Sequence, residues 1–421
     1  MTLKRLGGPL LGLLLAGCML LMLLHPASAL AAALRGLAIW WDVLFPSLFP
    51  FFVISEMLLG FGVVHLFGAL LDPLMRPLFN IPGSGGFVAA MGYVSGYPVG
   101  AKLTAKLREQ QLISRVEGER LVAFTTSSDP IFLLGAVSVG FFHDASLGLV
   151  LALSHYGGGL IVGLLMAFHG RQDKPAPVPA PPGVNSGLPL AAEGQRQGRL
   201  RLALTSMAEA RRRDGRSMGE LLKSAVQSSL QLIIVVGGLV VFFNVLMELL
   251  TRAGIMSALF SLLGSLLSFA GFPPGLSAAL ASGFFEVTIG ARSAGEAAVS
   301  VPLQFKAATA AFILSWGGLS VHAQVASILN GTGLRYLPFM AARLVHAFLS
   351  AVLLLLLWKP VVGSRLSAGF SSLPAFAGFA SSPLSGLAAS LGLLGVLLGA
   401  ALLLSLLVWL LRKTPRRWPR S

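Results

Sequence analysis

The sequence predicts an all-α integral membrane protein with about eight transmembrane helices plus two re-entrant hairpins, arranged as an inverted repeat. Three observations lead there. Hydrophobic residues make up 55% of the chain and charged residues 11%, less than half the charge of a soluble fold at roughly 25%. Charge-free runs, 6–24 and 387–411 among them, reach the roughly 20 apolar residues that a hydrocarbon core demands. A glycine-punctuated motif, Gly96-Tyr97-Pro98-Val99-Gly100-Ala101-Lys102, interrupts apolar sequence and returns 190 positions later as Glu286-Val287-Thr288-Ile289-Gly290-Ala291-Arg292. Matching interruptions in the two halves of a membrane chain point to a transport site.

Residues 1–29 read as an N-terminal transmembrane span and possible signal anchor. Lys4-Arg5, the apolar run and Ala27-Ser28-Ala29 resemble a secretory signal, and Leu15-Ala16-Gly17-Cys18 resembles a lipoprotein cleavage box. The apolar run continues past Cys18 to Leu24, longer than a signal core, which favours an uncleaved span.

Residues 30–169 form the first repeat. Residues 30–42 suit the membrane interface, with Trp40 and Trp41 as headgroup anchors. A span follows at 43–64, then a shorter amphipathic helix at 66–79, then the motif within 85–103. A charged connection reaches Arg120, and the span 121–142 is broken by Ser127-Ser128-Asp129-Pro130, because proline removes a donor and pushes the preceding residue out of helix. A glycine-rich span, 147–168, carries His155. Residues 170–219 turn proline-rich and then arginine-rich, a disordered or partly helical cytoplasmic loop.

Residues 220–360 rehearse this order. A polar lead at 217–230 precedes a span at 231–250, a short helix at 255–269, the second motif, and a span at 307–329 broken at Ser315-Trp316-Gly317-Gly318. Aligning Ala311-Phe312 with Ala123-Phe124 sets Gly317 against Asp129 and Arg343 against His155. A linker, 361–386, leads to a last span and basic tail, 387–421.

Cationic loops face the cytoplasm. Lys4-Arg5, the 102–120 connection, the central loop and the tail all do so only if each motif enters and returns on one side. Both termini are then cytoplasmic and the halves run in opposite senses. The net charge of +15 lies in these loops, with little aromatic interleaving, and so matches anionic lipid rather than nucleic acid. The single cysteine, Cys18, leaves no internal disulfide or cysteine metal site. No metal or cofactor is expected. The chain has no Walker loop, His-Glu-x-x-His or Gly-x-Ser-x-Gly, so no enzyme is expected.

Non-helical backbone survives in hydrocarbon only where protein buries it or water reaches it, and four interruptions imply a shared interior. Helix starts there suit an anion, and unwound carbonyls suit a cation. Candidate substrate contacts are Gly96, Tyr97, Pro98, Gly100 and Lys102 in the first motif and Ser127, Ser128 and Asp129 at the first break. Glu286, Gly290 and Arg292 in the second motif, Ser315, Trp316 and Gly317 at the second break, and Arg343 complete the set. His155 and His346 are candidates for gating or protonation. Each has a plainer reading. Lys102 and Arg292 can snorkel, the acids can form structural ion pairs, the histidines can tie helices together, and Trp316 can simply pack.

Ser95-Gly96-Tyr97-Pro98-Val99-Gly100-Ala101-Lys102, Thr125-Thr126-Ser127-Ser128-Asp129-Pro130 and Gly290-Ala291-Arg292 resemble the sporulation integral membrane proteins of the YlbJ type. These carry the nucleoside-recognition Gate domain, and the resemblance covers residues 35–360. The Gate domain is similar in turn to part of the scaffold of concentrative nucleoside transporters. The resemblance implies a protein made in the mother cell of an endospore-forming bacterium and placed in the outer forespore membrane. It implies movement of dipicolinate, a pyridine dicarboxylate, toward the spore by alternating access. A nucleoside or nucleobase carrier, and a non-transporting scaffold for sporulation membrane proteins, stay open, as does a homo-oligomer.

Overall fold

A computed structural model describes residues 3–170 and 195–362. The proline-rich run 175–182, the linker beyond 362, the span 387–411 and the basic tail lie outside the described residues. Every regular element among the described residues is a helix.

α1 (Leu3–Leu24) and α2 (Pro26–Ala38) are bent by 107° at His25, where Pro26 supplies the first helical residue of α2. Wide turns at Ile39–Leu44 lead into α3 (Phe45–Gly60), and Gly62, at φ +78°, starts α4 (Val63–Phe79). α5 (Ser84–Ser95) and α6 (Tyr97–Glu109) are joined by Gly96 alone. Its φ of +87° is one that only glycine takes without strain. α7 (Arg115–Thr125) starts on a Ser114/Glu117 capping box. Residues 126–129 are non-helical, π-type turns run through Ile131–Phe141, and α8 (Leu147–Met166) closes the first half.

α9 (Gln195–Asp214) packs on α4. α10 (Met218–Arg252) opens on a second capping box at Ser217/Glu220, and Gly254, at φ +73°, starts α11 (Ile255–Phe269) as Gly62 starts α4. α12 (Ser277–Phe285) and α13 (Val287–Gly295) meet at Glu286. α14 (Leu303–Trp316) and α15 (Gly318–Leu329) are divided by Gly317 at φ +86°, and α16 (Tyr336–Leu357) ends the second half.

The order α3–α8 thus recurs in α10–α16. Packing between the halves is reciprocal, as a two-fold relation requires: α7 lies on α16 and α14 on α8, while α6 lies on α15 and α13 on the 131–141 helix. Among the described residues four helical stretches, Leu147–Met166, Met218–Arg252, Leu303–Leu329 and Tyr336–Val362, are long and apolar enough to cross a bilayer, and the bent α1–α2 pair can make a fifth. The expected spans at 43–64 and 121–142 hold shorter apolar helices, Leu48–Gly60 and Ile131–Phe141, because proline and glycine cut them.

Two readings of element boundaries change. The polar lead at 217–230 and the span at 231–250 are one helix of 35 residues, about 52 Å long, since Gly237-Gly238 does not break it. Gly237 instead receives the Trp40 ring, whose Nε1 donates to the Ile233 carbonyl at 2.9 Å. For the same reason α2, read as interfacial, lies along α10, with Gly36 against Val241 and Arg35 paired to Glu248 at 2.9 Å.

Candidate functional site

Small residues let the hairpin tips reach the helix breaks. A Cβ on Gly96 would stand 3.2 Å from Asp129 Oδ2, and Tyr97 donates its hydroxyl to the Leu314 carbonyl at 2.7 Å. Gly318, at φ +74°, admits the backbone of Phe285 and Glu286 from the second tip. Pro98 occupies the first turn of α6, where its missing N–H costs nothing. Both hairpins and both breaks therefore meet at one buried centre.

The two acids there are helix caps. Asp129 Oδ1 accepts from the Phe132 N–H at 2.9 Å, and Glu286 Oε2 accepts from the Ile289 N–H at 2.8 Å. The sequence reserves these helix starts for a bound anion, but the chain's own carboxylates already occupy them. Neither acid makes an ion pair among the described residues.

Helix ends are filled in the same way by Arg343, the largest wholly buried side chain. Its Nη1 donates to Thr126 O at 2.6 Å and its Nη2 to Leu314 O at 3.3 Å, carbonyls at the ends of α7 and α14. The negative ends of two helix dipoles thus hold the cation.

Hydrogen-bond complementarity sets both histidine tautomers. The Ser128 N–H can only donate, so His155 Nε2 accepts it at 3.2 Å, along with the Ser127 hydroxyl at 2.9 Å. Nδ1 then carries the proton and donates to Ser315 Oγ at 2.8 Å, which donates to Ser350 Oγ at 2.8 Å. His346 Nε2 donates to the His155 carbonyl at 2.7 Å and Nδ1 accepts from Arg343 Nη1 at 3.0 Å. The two rings lie 5.0 Å apart where α8 crosses α16. The residue facing His155 is therefore His346 rather than Arg343, three positions from the sequence alignment.

Trp316 stacks on Phe284 at 5.8 Å, donates Nε1 to the Phe284 carbonyl at 3.2 Å, and has the His322 ring at 4.1 Å. Gly100 and Gly290 sit where hairpin arms touch other backbone: Thr125 for Gly100, Gly283 for Gly290.

Lys102 and Arg292 lie apart from the centre. Lys102 pairs with Glu56 of α3 at 2.8 Å, where Lys106 joins it. Arg292 is exposed, with Glu296 at 3.9 Å and its guanidinium over the Phe141 ring at 5.2 Å. Sequence reasoning passed over Glu56, although it is the one acid in the apolar run 43–64. Tyr93, Tyr156 and Ser350 carried no signal beyond being polar inside apolar helices.

Paired helical hairpins and paired broken helices, closed around a buried charged centre, define a polytopic membrane protein of the transporter-like class. A family model described as Gate, nucleoside recognition, matches residues 42–143, from the turn before α3 through the first break. The chain is 44% identical over 344 residues to the sporulation integral membrane protein YlbJ of Bacillus subtilis (strain 168), covering 80% of this chain and 79% of that one. It belongs to the YlbJ family of sporulation integral membrane proteins. No solved structure matches it.

Proposed function

We propose that this protein carries a small anionic aromatic metabolite, dipicolinate, from mother cell toward forespore by alternating access of its two halves. The observation that carries the reading is the meeting of both hairpin tips with both helix breaks at one buried polar centre. Such discontinuous helices give a membrane protein fixed polar groups at mid-depth, and rocking of one repeat against the other exposes them to either side in turn. The kinship with a sporulation membrane protein supports the physiological setting and a place in the outer forespore membrane. The cationic loops hold anionic lipid and keep both termini cytoplasmic. Transport proceeds without covalent chemistry on the substrate. Self-association or contact with other sporulation membrane proteins is compatible with this role.

A nucleoside carrier is the second reading, favoured by the description of the family model over residues 42–143. Vesicles containing only this protein separate the two. Accumulation of labelled pyridine-2,6-dicarboxylate, with none of uridine or adenosine, is the expected result. Nucleoside uptake without dicarboxylate uptake overturns the substrate, and no uptake of either supports a scaffold instead.

A further inference from the structure

We propose that Arg343 Nε, Ser128 Oγ and Tyr93 Oη form the receptor for one carboxylate group of a small organic acid. The assignment rests on the transport reading above and names its anion contact.

Arg343 is wholly buried and has no carboxylate partner among the described residues. Nη1 and Nη2 are committed to Thr126 O, His346 Nδ1 and Leu314 O, which leaves the Nε–H as a buried donor without an acceptor. Helix-end carbonyls stabilise the guanidinium but bring no full counter-charge, and an uncompensated buried charge is costly.

Two other buried groups without a hydrogen-bond partner, the hydroxyls of Ser128 and Tyr93, belong to the same centre, and Tyr93 lies within electrostatic reach of Arg343. Tyr156 links them, donating to the Ser128 carbonyl at 3.2 Å while its ring meets that of Tyr93 at 5.6 Å. The Tyr93 hydroxyl rests on Gly159, which in turn rests on His346, the partner of Arg343. Three donors without an acceptor are the complement of a carboxylate, which only accepts, and the charge strengthens each bond. A neutral nucleoside supplies no counter-charge. Asp129 and Glu286 already fill the helix starts, so the guanidinium is the centre's remaining anion contact. The Tyr97 ring stands over it, 5.9 Å from Cζ, and the anion reaches Nε when this hairpin tip withdraws.

The test is equilibrium binding of pyridine-2,6-dicarboxylate, pyridine-2-carboxylate and uridine to the purified full chain and to Y93F, S128A and R343M. The parent should bind both acids and not uridine. Y93F and S128A should each weaken both acids about tenfold, the loss of one bond to a charged group. R343M should abolish acid binding, and the Thr126 carbonyl and His346 Nδ1 that it leaves without a donor should lower the melting temperature of the ligand-free protein. If R343M fails to fold, the two hydroxyl variants decide. Dicarboxylate bound as tightly by Y93F and S128A as by the parent overturns the receptor and leaves the transport reading standing. A parent that binds uridine and neither acid overturns the transport reading itself.

Discussion

At the first hairpin, Gly92 and Gly100 both lean on the Thr125 carbonyl of the facing break, whereas at the second Gly290 lies on Gly283 of its own partner arm. The arm cations differ in the same sense. Lys102 is locked with Lys106 onto Glu56, while Arg292 stands in the open over Phe141. The acid also has a different source: Asp129 reaches the first tip from the facing break, and Glu286 is the second tip. The first hairpin is thus fastened by its backbone and its lysines, while the second meets α14 and α15 through Gly283 on Ile313 and Glu286 at Gly318.

The largest test of this difference is E56Q. It strands Lys102 and Lys106 in a mostly buried setting and should cost about 3 kcal/mol or more. Chemical denaturation checks it, and a parent-like midpoint would remove the fastening. Next come the glycines. In G290A the new Cβ would lie 2.2 Å from Gly283 Cα, and in G100A 2.3 Å from Thr125 O, so each should lose about 1–3 kcal/mol through overpacking. G157A, whose Cβ would have nothing within 4 Å, should melt like the parent.

Smaller effects separate charge from capping. D129A and E286A lose a helix cap, about 1 kcal/mol each, whereas D129N and E286Q keep a carbonyl acceptor. The amide variants should recover stability but not uptake. If E286Q transports normally, the second acid is only a cap.

The broken spans begin differently as well. α14 is tied locally, Lys306 donating to the Ala297 carbonyl at 2.6 Å. α7 is tied across the halves by Glu119, which takes Arg335 Nε and Nη2 at 2.8 Å each and His169 at 2.8 Å. Burial works against its ionisation, yet the bonds from Arg335 and His169 hold its pKa at about 2, below the ordinary 4.5. A depressed carboxyl stabilises the fold above its unfolded pKa and loses that contribution as pH falls. The parent should therefore lose melting temperature between pH 4.5 and 2 more steeply than E119Q. Smallest of all, R292A removes an exposed contact and should change stability by about 0.5 kcal/mol or less.

Much of the architecture was legible because glycine and proline mark it. The 190-residue echo placed both hairpins, and Ser127-Ser128-Asp129-Pro130 and Gly317 placed both breaks. The roles of the charges were less legible. Which cation meets Glu56 depends on how α3 packs on α6, and no spacing within one helix reports that. The facing of His155 and His346 turned on a three-residue register. Glu286 as a cap was hidden because the local pattern lacks the usual Ser or Thr start. Arg343 was visible as a charge in apolar sequence, but its two carbonyl partners lie on other helices.

The bonds that cross the centre also set an order of manufacture. Once residues 1–170 have entered the bilayer, the Thr126 carbonyl, the His155 ring and the Tyr97 hydroxyl still await Arg343, Ser315 and Leu314 from the second half. The first half is an unfinished product until translation has passed Arg343, and a chain truncated before that residue should be recognised and degraded rather than kept.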